Sequence, residues 1–360
     1  MTKVSDRFLI GERVISDSDP TYFIADIAAN HDGDLDRAKR LIYLAKEAGA
    51  EAAKFQHFRA DTIVSDEGFR SLGNQQSHQA SWRKSVFQVY QDASLNADWT
   101  GALKEACDDV GIAFFTSPYD FELVDHVDPY VPAYKIGSGD VTWLEIIEHI
   151  AKKGKPTILA CGATSMDEVV RAVETGLAVN PNMALLQCNT NYTGSLENFR
   201  FIQLNVLRSF RAMYPRMVLG LSDHTPGHAT VLGAVALGGR IIEKHFTDDT
   251  SREGPDHGFS LDPRAWREMV DRTRELENAL GDGVKKVEHN EAETVILQRR
   301  AIRARRDIAV GERIERQDLT VLRPCPVGAL PPYAIGQLVG TRATRFIKKG
   351  DHLRMQDVTR

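Results

Sequence analysis

Residues 22–56 read YFIADIAANHDGDLDRAKRLIYLAKEAGAEAAKFQ and contain two short apolar runs, Tyr22–Ala28 and Ala52–Phe55. The segment between them, Leu35–Ala48, has the apolar spacing of a helix. A strand, a helix and a second strand in this order are typical of the repeated βα unit of a parallel sheet. This stretch therefore predicts an α/β fold.

The same alternation continues to about residue 280. Six further apolar runs follow, at Ala113–Phe115, Ala133–Ile136, Thr157–Ala160, Ala184–Leu186, Val218–Leu221 and Ile241–Glu243. Eight such units in roughly 260 residues predict a (β/α)8 TIM barrel. A doubly wound open sheet is the alternative, but the glycine-rich turn that usually follows its first strand is replaced here by AANHDGD.

The charges of the 360 residues are unevenly divided. The whole chain has 45 Lys and Arg, 50 Asp and Glu and a net charge of −5, which excludes a generally basic nucleic-acid binder. Residues 296–360 carry a local charge of +8, however, which leaves −13 for the rest. Two parts with different roles are indicated, and we expect no nucleic acid among the partners.

The chain ends in a segment of different character. After residue 281 the sequence GDGVKKVEHNEAETV is polar, and short strand-like runs follow it. We predict a barrel domain over 1–283, a linker over 284–298 and a small β-rich domain over 299–360. The long stretch Asp61–Leu95 after the second run is either a lid over the barrel mouth or a surface insertion.

Neither the amino terminus nor the cysteines indicate export from the cell. The first twenty residues carry charges throughout, and no run approaches 18 apolar residues, so we expect no signal peptide and no membrane partner. The four cysteines are widely spaced and form no CxxC pair. Reduced thiols and a cytoplasmic location are the simplest interpretation.

Polar and ionisable residues follow almost every predicted strand, which is where the active sites of TIM barrels lie. In chain order they are Asp26, Asn30, Lys54, Gln56, Thr116, Ser117, Lys135, Ser138, Asp140, Asn189, Tyr192, Ser222, Asp223, His224 and His245. The fifth strand is the exception, because it ends in Ala160, Cys161 and Gly162. Each residue alone could cap a strand or helix, but seven strand ends in register favour a site at this rim.

Several of these residue types suit the binding of ions. His224 and His245 follow neighbouring strands and could share a divalent cation, although two unrelated rim histidines fit the spacing equally well. Two buried lysines, Lys54 and Lys135, imply a phosphate or carboxylate ligand between them. Hydroxyl and amide groups could complete an anion cradle, namely those of Thr116, Ser117, Ser138, Asn189 and Ser222. The candidate carboxylates for proton transfer or hydroxyl binding are Asp26, Asp140 and Asp256.

Several longer stretches of the sequence resemble those of a known protein family. The stretches AYKIGSGD, GLSDHTPGHAT, LGAVALGGRIIEKHFTDD and GPDHGFS, together with residues 24–56, resemble the sialic acid (N-acetylneuraminate) synthase family. From about residue 299 the chain, with RRDIAVGERI and VLRP, is similar to the antifreeze-like SAF domain that ends these synthases. The resemblance covers almost the whole chain and implies a TIM barrel followed by a small β-rich SAF domain.

The resemblance implies a reaction. Members of this family condense phosphoenolpyruvate with the open-chain aldehyde of an N-acetylated hexosamine, and water completes a nine-carbon 2-keto-3-deoxy acid with release of phosphate. The residues that match the family's metal ligands are His224 and His245, which would hold Mn²⁺ or Mg²⁺. The alternatives are a related barrel synthase that uses a phosphorylated aldose and a catalytically silent sugar-binding homologue.

The matching motifs also assign residues to substrates. The phosphoenolpyruvate set is Lys54, Ser117, Lys135, Ser138, Ser222 and either Asn189 or Thr190. The sugar set is Gln56, Tyr192 and Asp256. Arg323, in VLRP, matches an arginine that reaches across a domain-swapped homodimer to the N-acyl group of the sugar.

The chain departs from the family pattern at several of these positions. It has Asp26 and Asp140 where the family usually has Glu, and Ala160-Cys161-Gly162 where the family has Ser-Thr-Gly. Cys188-Asn189-Thr190 stands in place of Cys-Thr-Asn. We therefore expect an acceptor that can differ from N-acetylmannosamine, such as a diacetamido-trideoxyhexose.

Overall fold

The computed structural model describes residues 4–73, 79–80 and 82–360. An antiparallel hairpin comes first, formed by β1 (Arg7–Ile10) and β2 (Arg13–Ser16). Eight parallel strands follow. They are β3 (Tyr22–Asp26), β4 (Ala52–His57), β5 (Ala113–Pro118), β6 (Tyr134–Ile136), β7 (Thr157–Ala160), β8 (Met183–Cys188), β9 (Val218–Asp223) and β10 (Gly239–His245).

These eight strands form one sheet in the hydrogen-bonded order β5-β4-β3-β10-β9-β8-β7-β6. Its two outermost strands, β5 and β6, contact each other, so the sheet curves into a near-closed barrel. Every strand coincides with one of the eight apolar runs, and the predicted TIM barrel is confirmed. The first barrel strand, β3, ends at Asp26 rather than at Ala28, because the backbone of Ala28 turns to a φ of 46°.

Helices connect the strands and pack around them. They are α1 (Leu35–Glu47), α2 (Ala60–Ile63), α3 (Asp66–Ser71), α4 (Val86–Ala93), α5 (Thr100–Val110), α6 (Phe121–Val127), α7 (Leu144–Ala151), α8 (Met166–Leu177), α9 (Val206–Met213), α10 (Ala229–Ala236) and α11 (Pro263–Leu280). Local sequence sets their ends. The Asp34 side chain accepts from the backbone N–H groups of Asp36 and Arg37 at the start of α1, and α11 begins with a proline after the capping residue Asp262.

The alternation of side chains along the strands creates two apolar cores. On β4, Ala53 and Phe55 point outward into the core between barrel and helices, whereas Ala52 points into the barrel. The interior core also receives Phe8 and Ile10 from the hairpin, which therefore packs against the barrel interior. Polar residues at the carboxyl ends of the strands follow the same alternation, and this decides which of them face the mouth.

One glycine shows how closely the barrel strands approach. A Cβ atom on Gly220, an inward position of β9, would lie 2.0 Å from the backbone oxygen of Ile241. The neighbouring strand β10 carries an irregularity in register between Gly239 and Ile241 at this level. Only a glycine fits at position 220 without displacing the backbone of β10.

A second compact unit begins at Asp282, directly after the barrel unit ends at Gly281. Its elements are α12 (Ala292–Gln298), the antiparallel pair β11 (Ala301–Ala304) and β12 (Leu319–Leu322), α13 (Ile335–Leu338), and the pair β13 (Arg342–Ala343) and β14 (Val358–Thr359). This unit has its own apolar core around Ile302, Leu338 and Ile347. The domain limits at residues 283 and 299 stay predictions. No described helix is long and apolar enough to cross a bilayer.

Candidate active site at the barrel mouth

A cavity of about 440 Å³ lies at the carboxyl ends of the barrel strands. Most of the predicted site residues line it. They are Asp26, Lys54, Gln56, Ser117, Lys135, Ser138, Asp140, Thr190, Tyr192, Ser222, His224, His245 and Asp256. The fold thus brings together residues that are more than 200 positions apart in the chain.

Thr116 and Asn189 do not line this cavity, and strand alternation is the reason. Thr116 points outward, where its hydroxyl donates to the Phe55 oxygen at 3.1 Å and lies 2.6 Å from His57 Nδ1. The Asn189 side chain likewise turns away and donates to the Phe201 oxygen at 3.3 Å. The side chains of Thr116 and Asn189 are therefore not placed to bind an anion in this cavity.

The sequence left Asn189 and Thr190 open as alternatives, and the structure places Thr190 in the cavity wall. Gly162 faces it, because a Cβ at Gly162 would come within 1.9 Å of Thr190 Oγ1. The Gly162 N–H group donates to Ser138 Oγ at 2.9 Å. Arg323 belongs to the second unit, and its role stays a prediction.

Lys54 and Asp26 form a buried ion pair at the ends of neighbouring strands. Lys54 Nζ donates to Asp26 Oδ2 at 2.6 Å, and Gln56 Nε2 donates to the same oxygen at 3.0 Å. Burial alone would lower the pKa of Lys54, but the carboxylates of Asp26 and Glu243 hold that pKa above its usual value. The ammonium group is therefore charged and held in one position.

Glu243 is a site residue that the sequence analysis missed. Its Oε1 lies 3.4 Å from Lys135 Nζ and accepts from Ser222 Oγ at 3.1 Å, while its buried Oε2 has no hydrogen-bond partner among the described residues. Glu243 precedes His245 by two positions on β10, so alternation along the strand could have placed both in the cavity. Our inference that two buried lysines require an anionic ligand was incomplete, because Asp26 and Glu243 compensate them.

His224 and His245 lie side by side, with ring centroids 5.4 Å apart. His224 Nδ1 lies 3.0 Å from the Asn189 backbone oxygen, which can only accept, so in the neutral ring the lone pair is on Nε2. Burial would lower the pKa of His224, but its contact with the Cys188 thiol raises that pKa above its usual value. Burial, followed by the nearby His224 and Lys54, lowers the pKa of His245 well below its usual value, and this imidazole is neutral. His245 Nδ1 is buried without a hydrogen-bond partner among the described residues. When His224 is deprotonated, two imidazole nitrogens are available in one place.

The charges that line the cavity also favour a cation. Four carboxyl groups face two lysine ammonium groups there, since Asp26, Asp140, Glu243 and Asp256 line it with Lys54 and Lys135. Burial raises the pKa of Asp140 and of Asp256 to about 6 each. Across the described residues no group of three or more His, Cys, Asp or Glu has the arrangement of a metal site. A divalent cation fits here if two histidines hold it and water and substrate oxygens complete its shell.

Similarity to known proteins agrees with this geometry. The sequence model of the NeuB family matches residues 41–285, and that of the SAF domain matches residues 299–359. This chain belongs to the NeuB family. Both parts of the resemblance drawn from the motifs are thereby confirmed.

Characterised relatives of this NeuB-family chain are enzymes. It is 33% identical to the N,N'-diacetyllegionaminic acid synthase of Legionella pneumophila, over 97% of this chain and 98% of the relative. It is 32% identical to the human N-acetylneuraminate-9-phosphate synthase, over 94% and 93%. The crystal structure of the N-acetylneuraminic acid synthetase of Leptospira borgpetersenii, in complex with citrate, matches 82% of this chain and 97% of its own with a TM-score of 0.70 and 28% identity. The protein is thus a member of a nonulosonic acid synthase family.

In this NeuB-family site, burial makes Asp256 costly to ionise. A carboxyl whose pKa is higher in the folded than in the unfolded chain stabilises the fold at low pH, and that stability is lost as the pH rises from about 4 to about 6. We expect Asp256→Asn to raise the free energy of unfolding by about 1–3 kcal/mol at pH 8 in the presence of a chelator, and to leave it unchanged at pH 3.5. The asparagine oxygen can still accept from the Ala29 N–H group, which lies 3.1 Å from Asp256 Oδ2.

Urea unfolding followed by circular dichroism at both pH values measures this effect. The exposed Asp109→Asn is the matched control and should change stability by less than about 0.5 kcal/mol at either pH. An equal gain from Asp256→Asn at pH 3.5 and pH 8 would show that ionisation of Asp256 is not the cause.

Proposed function

We propose that this protein is a nonulosonic acid synthase that condenses phosphoenolpyruvate with the open-chain aldehyde of an N-acetylated hexosamine. Water is the third reactant, and the products are a nine-carbon 2-keto-3-deoxy acid and inorganic phosphate. The observation that carries this proposal is the meeting of Lys54, Lys135, His224 and His245 in one buried cavity at the barrel mouth. Membership of the NeuB family supports it.

Phosphoenolpyruvate carries a carboxylate and a phosphate, and the strand ends offer donors for both. Lys135 and Lys54 supply charge, and Ser138 and Thr190 supply hydroxyl groups beside the Gly162 backbone. Ser117 Oγ is buried without a hydrogen-bond partner among the described residues, which suits a donor kept for a ligand. Charge-assisted hydrogen bonds of this kind are the stronger ones in proteins, so they can hold the substrate in one orientation.

His224 and His245 would hold the divalent cation, Mn²⁺ or Mg²⁺. When bound, such a cation supplies Lewis-acid polarisation of the aldehyde oxygen. The protein contributes the neutral imidazole of His245 and the hydrogen bond that orients the His224 ring. Tyr192 packs edge-on against the His224 ring at 4.6 Å between centroids and keeps water from one face of the pair.

The bond changes require two proton transfers. The enol carbon of phosphoenolpyruvate forms the new C–C bond with the aldehyde carbon, whose oxygen becomes a hydroxyl group. Water adds to C2, and cleavage of the C–O bond at C2 expels phosphate, which takes up the proton of the C2 hydroxyl group as the keto group forms. A carboxyl with a pKa near 6 can accept the proton of the water and return it to the alkoxide, and both Asp140 and Asp256 meet this condition.

The acceptor sugar would lie against the remaining polar groups of the cavity. Gln56, Tyr192 and Asp256 offer an amide, a phenol and a carboxyl for its hydroxyl and N-acyl groups. The Gln56 amide is already oriented by its hydrogen bond to Asp26. Arg323 completes this proposal as a contact from the second unit of the partner subunit in a domain-swapped homodimer.

The test is phosphate release from phosphoenolpyruvate in the presence of a panel of 2-acetamido and diacetamido hexoses. We expect release that requires both substrates, stops on chelation and returns with Mn²⁺ or Mg²⁺. His245→Ala should lower kcat/KM roughly 1000-fold, since the polarisation that a metal supplies is worth several kcal/mol. The exposed His289→Ala is the matched control and should retain full activity.

Each part of the proposal can fail separately. Full turnover in the presence of a chelator would contradict the proposed role of the metal. Sugar binding without product from any acceptor would instead support a catalytically silent homologue. A strict requirement for a phosphorylated aldose would support the alternative barrel synthase.

A further inference from the structure

One wall of the cavity differs from the rest in being apolar. It comes from the region between β4 and α5, whose sequence is compatible with a lid over the mouth or a surface insertion. We call it the apolar wall, and it consists of Phe58, Ile63, Trp82, Val89, Tyr90 and Ala93; the uncharged amide Gln79 of the same region also lines the cavity. Residues 74–78 and Ser81 of the same region lie outside the described residues.

Helix α4 supplies half of the apolar wall through one of its faces. Val86, Val89, Tyr90 and Ala93 follow the spacing i, i+3, i+4, i+7, which places them on the same side of the helix. Val86 is buried, whereas the other three are half-buried because the cavity lies in front of them. An amphipathic helix normally lays such a face on the core. Here most of it is presented to the substrate cavity.

Aromatic packing holds this face in place. The ring of Phe58 lies 5.4 Å from that of Tyr90 and 6.1 Å from that of Tyr119, measured between centroids. A capping box between Ser85 and Gln88 fixes the start of α4. The apolar wall is therefore a built surface of the cavity.

The apolar wall has no cation to receive a second anionic group. None of its described residues is Lys or Arg. The basic residues of this region are exposed, where Arg70 pairs with Asp66 and Lys84 with Asp92. A phosphate pressed against this wall would lose its water without gaining a counter-ion, which is strongly unfavourable.

We propose that the apolar wall binds the end of the acceptor sugar remote from its aldehyde, and selects uncharged, methyl-bearing substituents there over a phosphate. A deoxy carbon and a second N-acyl group are substituents of this kind. This inference rests on the proposed function, because it takes an N-acetylated hexose as the acceptor. It assigns the choice of acceptor to α4 and the region before it, whereas the chemistry belongs to the strand ends.

The experiment compares three acceptors with phosphoenolpyruvate and Mn²⁺: a 6-deoxy diacetamido hexose, 2-acetamidomannose and 2-acetamidomannose 6-phosphate. For the wild-type enzyme we expect kcat/KM for the 6-deoxy acceptor to exceed that for the 6-phosphate by at least about 100-fold. Val89→Arg places a cation on the apolar wall and should reduce this ratio by at least about tenfold. Gln91→Arg adds the same charge to the exposed face of α4 and should leave the ratio unchanged.

The outcomes separate this inference from the function on which it rests. Turnover with a preference for the 6-phosphate overturns the inference and leaves the synthase function standing. An equal change of the ratio in Val89→Arg and Gln91→Arg also overturns it, because a general charge effect would then suffice. No turnover with any acceptor overturns both. If Val89→Arg does not fold, the wild-type ratio of kcat/KM for the 6-deoxy acceptor to that for the 6-phosphate still tests the inference by itself.

Discussion

Lys135→Met is expected to raise the KM for phosphoenolpyruvate roughly 100-fold while the barrel stays folded, because truncating one partner of a buried charge contact costs about 3 kcal/mol. Lys135 Nζ is buried in the cavity wall, donates to the Ile136 oxygen at 3.1 Å and lies 3.4 Å from Glu243 Oε1. The group is therefore oriented by the protein, and its contact with Glu243 is longer than the 2.6 Å contact between Lys54 and Asp26. Its remaining hydrogen-bonding capacity faces the cavity.

Lys135 is a better position for this test than Lys54. Lys54 donates to Asp26 at 2.6 Å, and both side chains are almost completely buried. Removal of the Lys54 ammonium group would leave the buried Asp26 carboxylate without its counter-ion, and this would destabilise the fold as well as weaken binding. Methionine at position 135 keeps a similar length and apolar stem, so the change is mainly the loss of the ammonium group.

Initial rates at varied phosphoenolpyruvate and a saturating acceptor measure the effect, and a thermal melt reports the fold. Lys152→Met is the matched control, since the Lys152 side chain is 60% exposed and pairs with Glu148 on the surface of α7. The control should keep the wild-type KM. A Lys135→Met enzyme with an unchanged KM and a normal melt would remove Lys135 from the anion site.

The largest effect on stability is expected from Lys244→Met, which should lower the free energy of unfolding by about 3–5 kcal/mol. Lys244 points outward from β10 into the core between barrel and helices, where its ammonium group donates to Asp223 Oδ2 and to the Thr225 oxygen. The Thr230 hydroxyl donates to the same Asp223 oxygen at 2.7 Å. Lys244 and Asp223 are each no more than 2% exposed, so the carboxylate would have neither counter-ion nor water.

A double substitution distinguishes a stranded charge from poor packing. Burial would raise the pKa of Asp223, but Lys244 holds it below its usual value, so this carboxylate is charged in the native fold. In Lys244→Met combined with Asp223→Leu no charge is stranded, and the double variant should recover at least half of the stability lost in Lys244→Met. Urea unfolding followed by far-ultraviolet circular dichroism measures the barrel transition. Equal losses in the single and double variants would assign the effect to packing.

The ion pair of Asp223 and Lys244 has a further consequence for the site. Asp223 directly precedes His224, and Lys244 directly precedes His245. The pair therefore joins β9 and β10 immediately behind the two histidines that we propose as metal ligands. The sequence analysis placed Asp223 among the rim residues, but the structure shows that it faces away from the cavity, because it alternates with Ser222 along the strand.

Sequence reasoning located the site through the ends of the strands, and it erred where it did not apply alternation to them. Ser117 and Thr116 are adjacent, and only the first faces the cavity. Glu243 was treated as the end of an apolar run, although it lies on the same face of β10 as His245. Both errors come from the assumption that all polar side chains at the end of a strand face the cavity. Neighbouring side chains of a strand point to opposite faces.

The sequence by itself determined the barrel and the position of its mouth. Eight apolar runs separated by helical spacing leave few other arrangements, since each run must be buried on both faces of a parallel sheet. It also determined family membership, because the motifs around His224 and His245 are long. These features depend on residues that are close together in the chain.

Only the tertiary structure decided which charges compensate one another and what surrounds the substrate. Lys135 meets Glu243 across 108 positions of sequence, and α4 turns its apolar face to a cavity whose other walls are formed by strand ends and the loops that follow them. Such pairings depend on the curvature of the sheet and on the path of a long connection, and neither leaves a periodic pattern in the sequence. The residues that can bind a substrate can therefore be identified from the motifs. The pairing of their charges and the position of the apolar wall depend on the folded barrel.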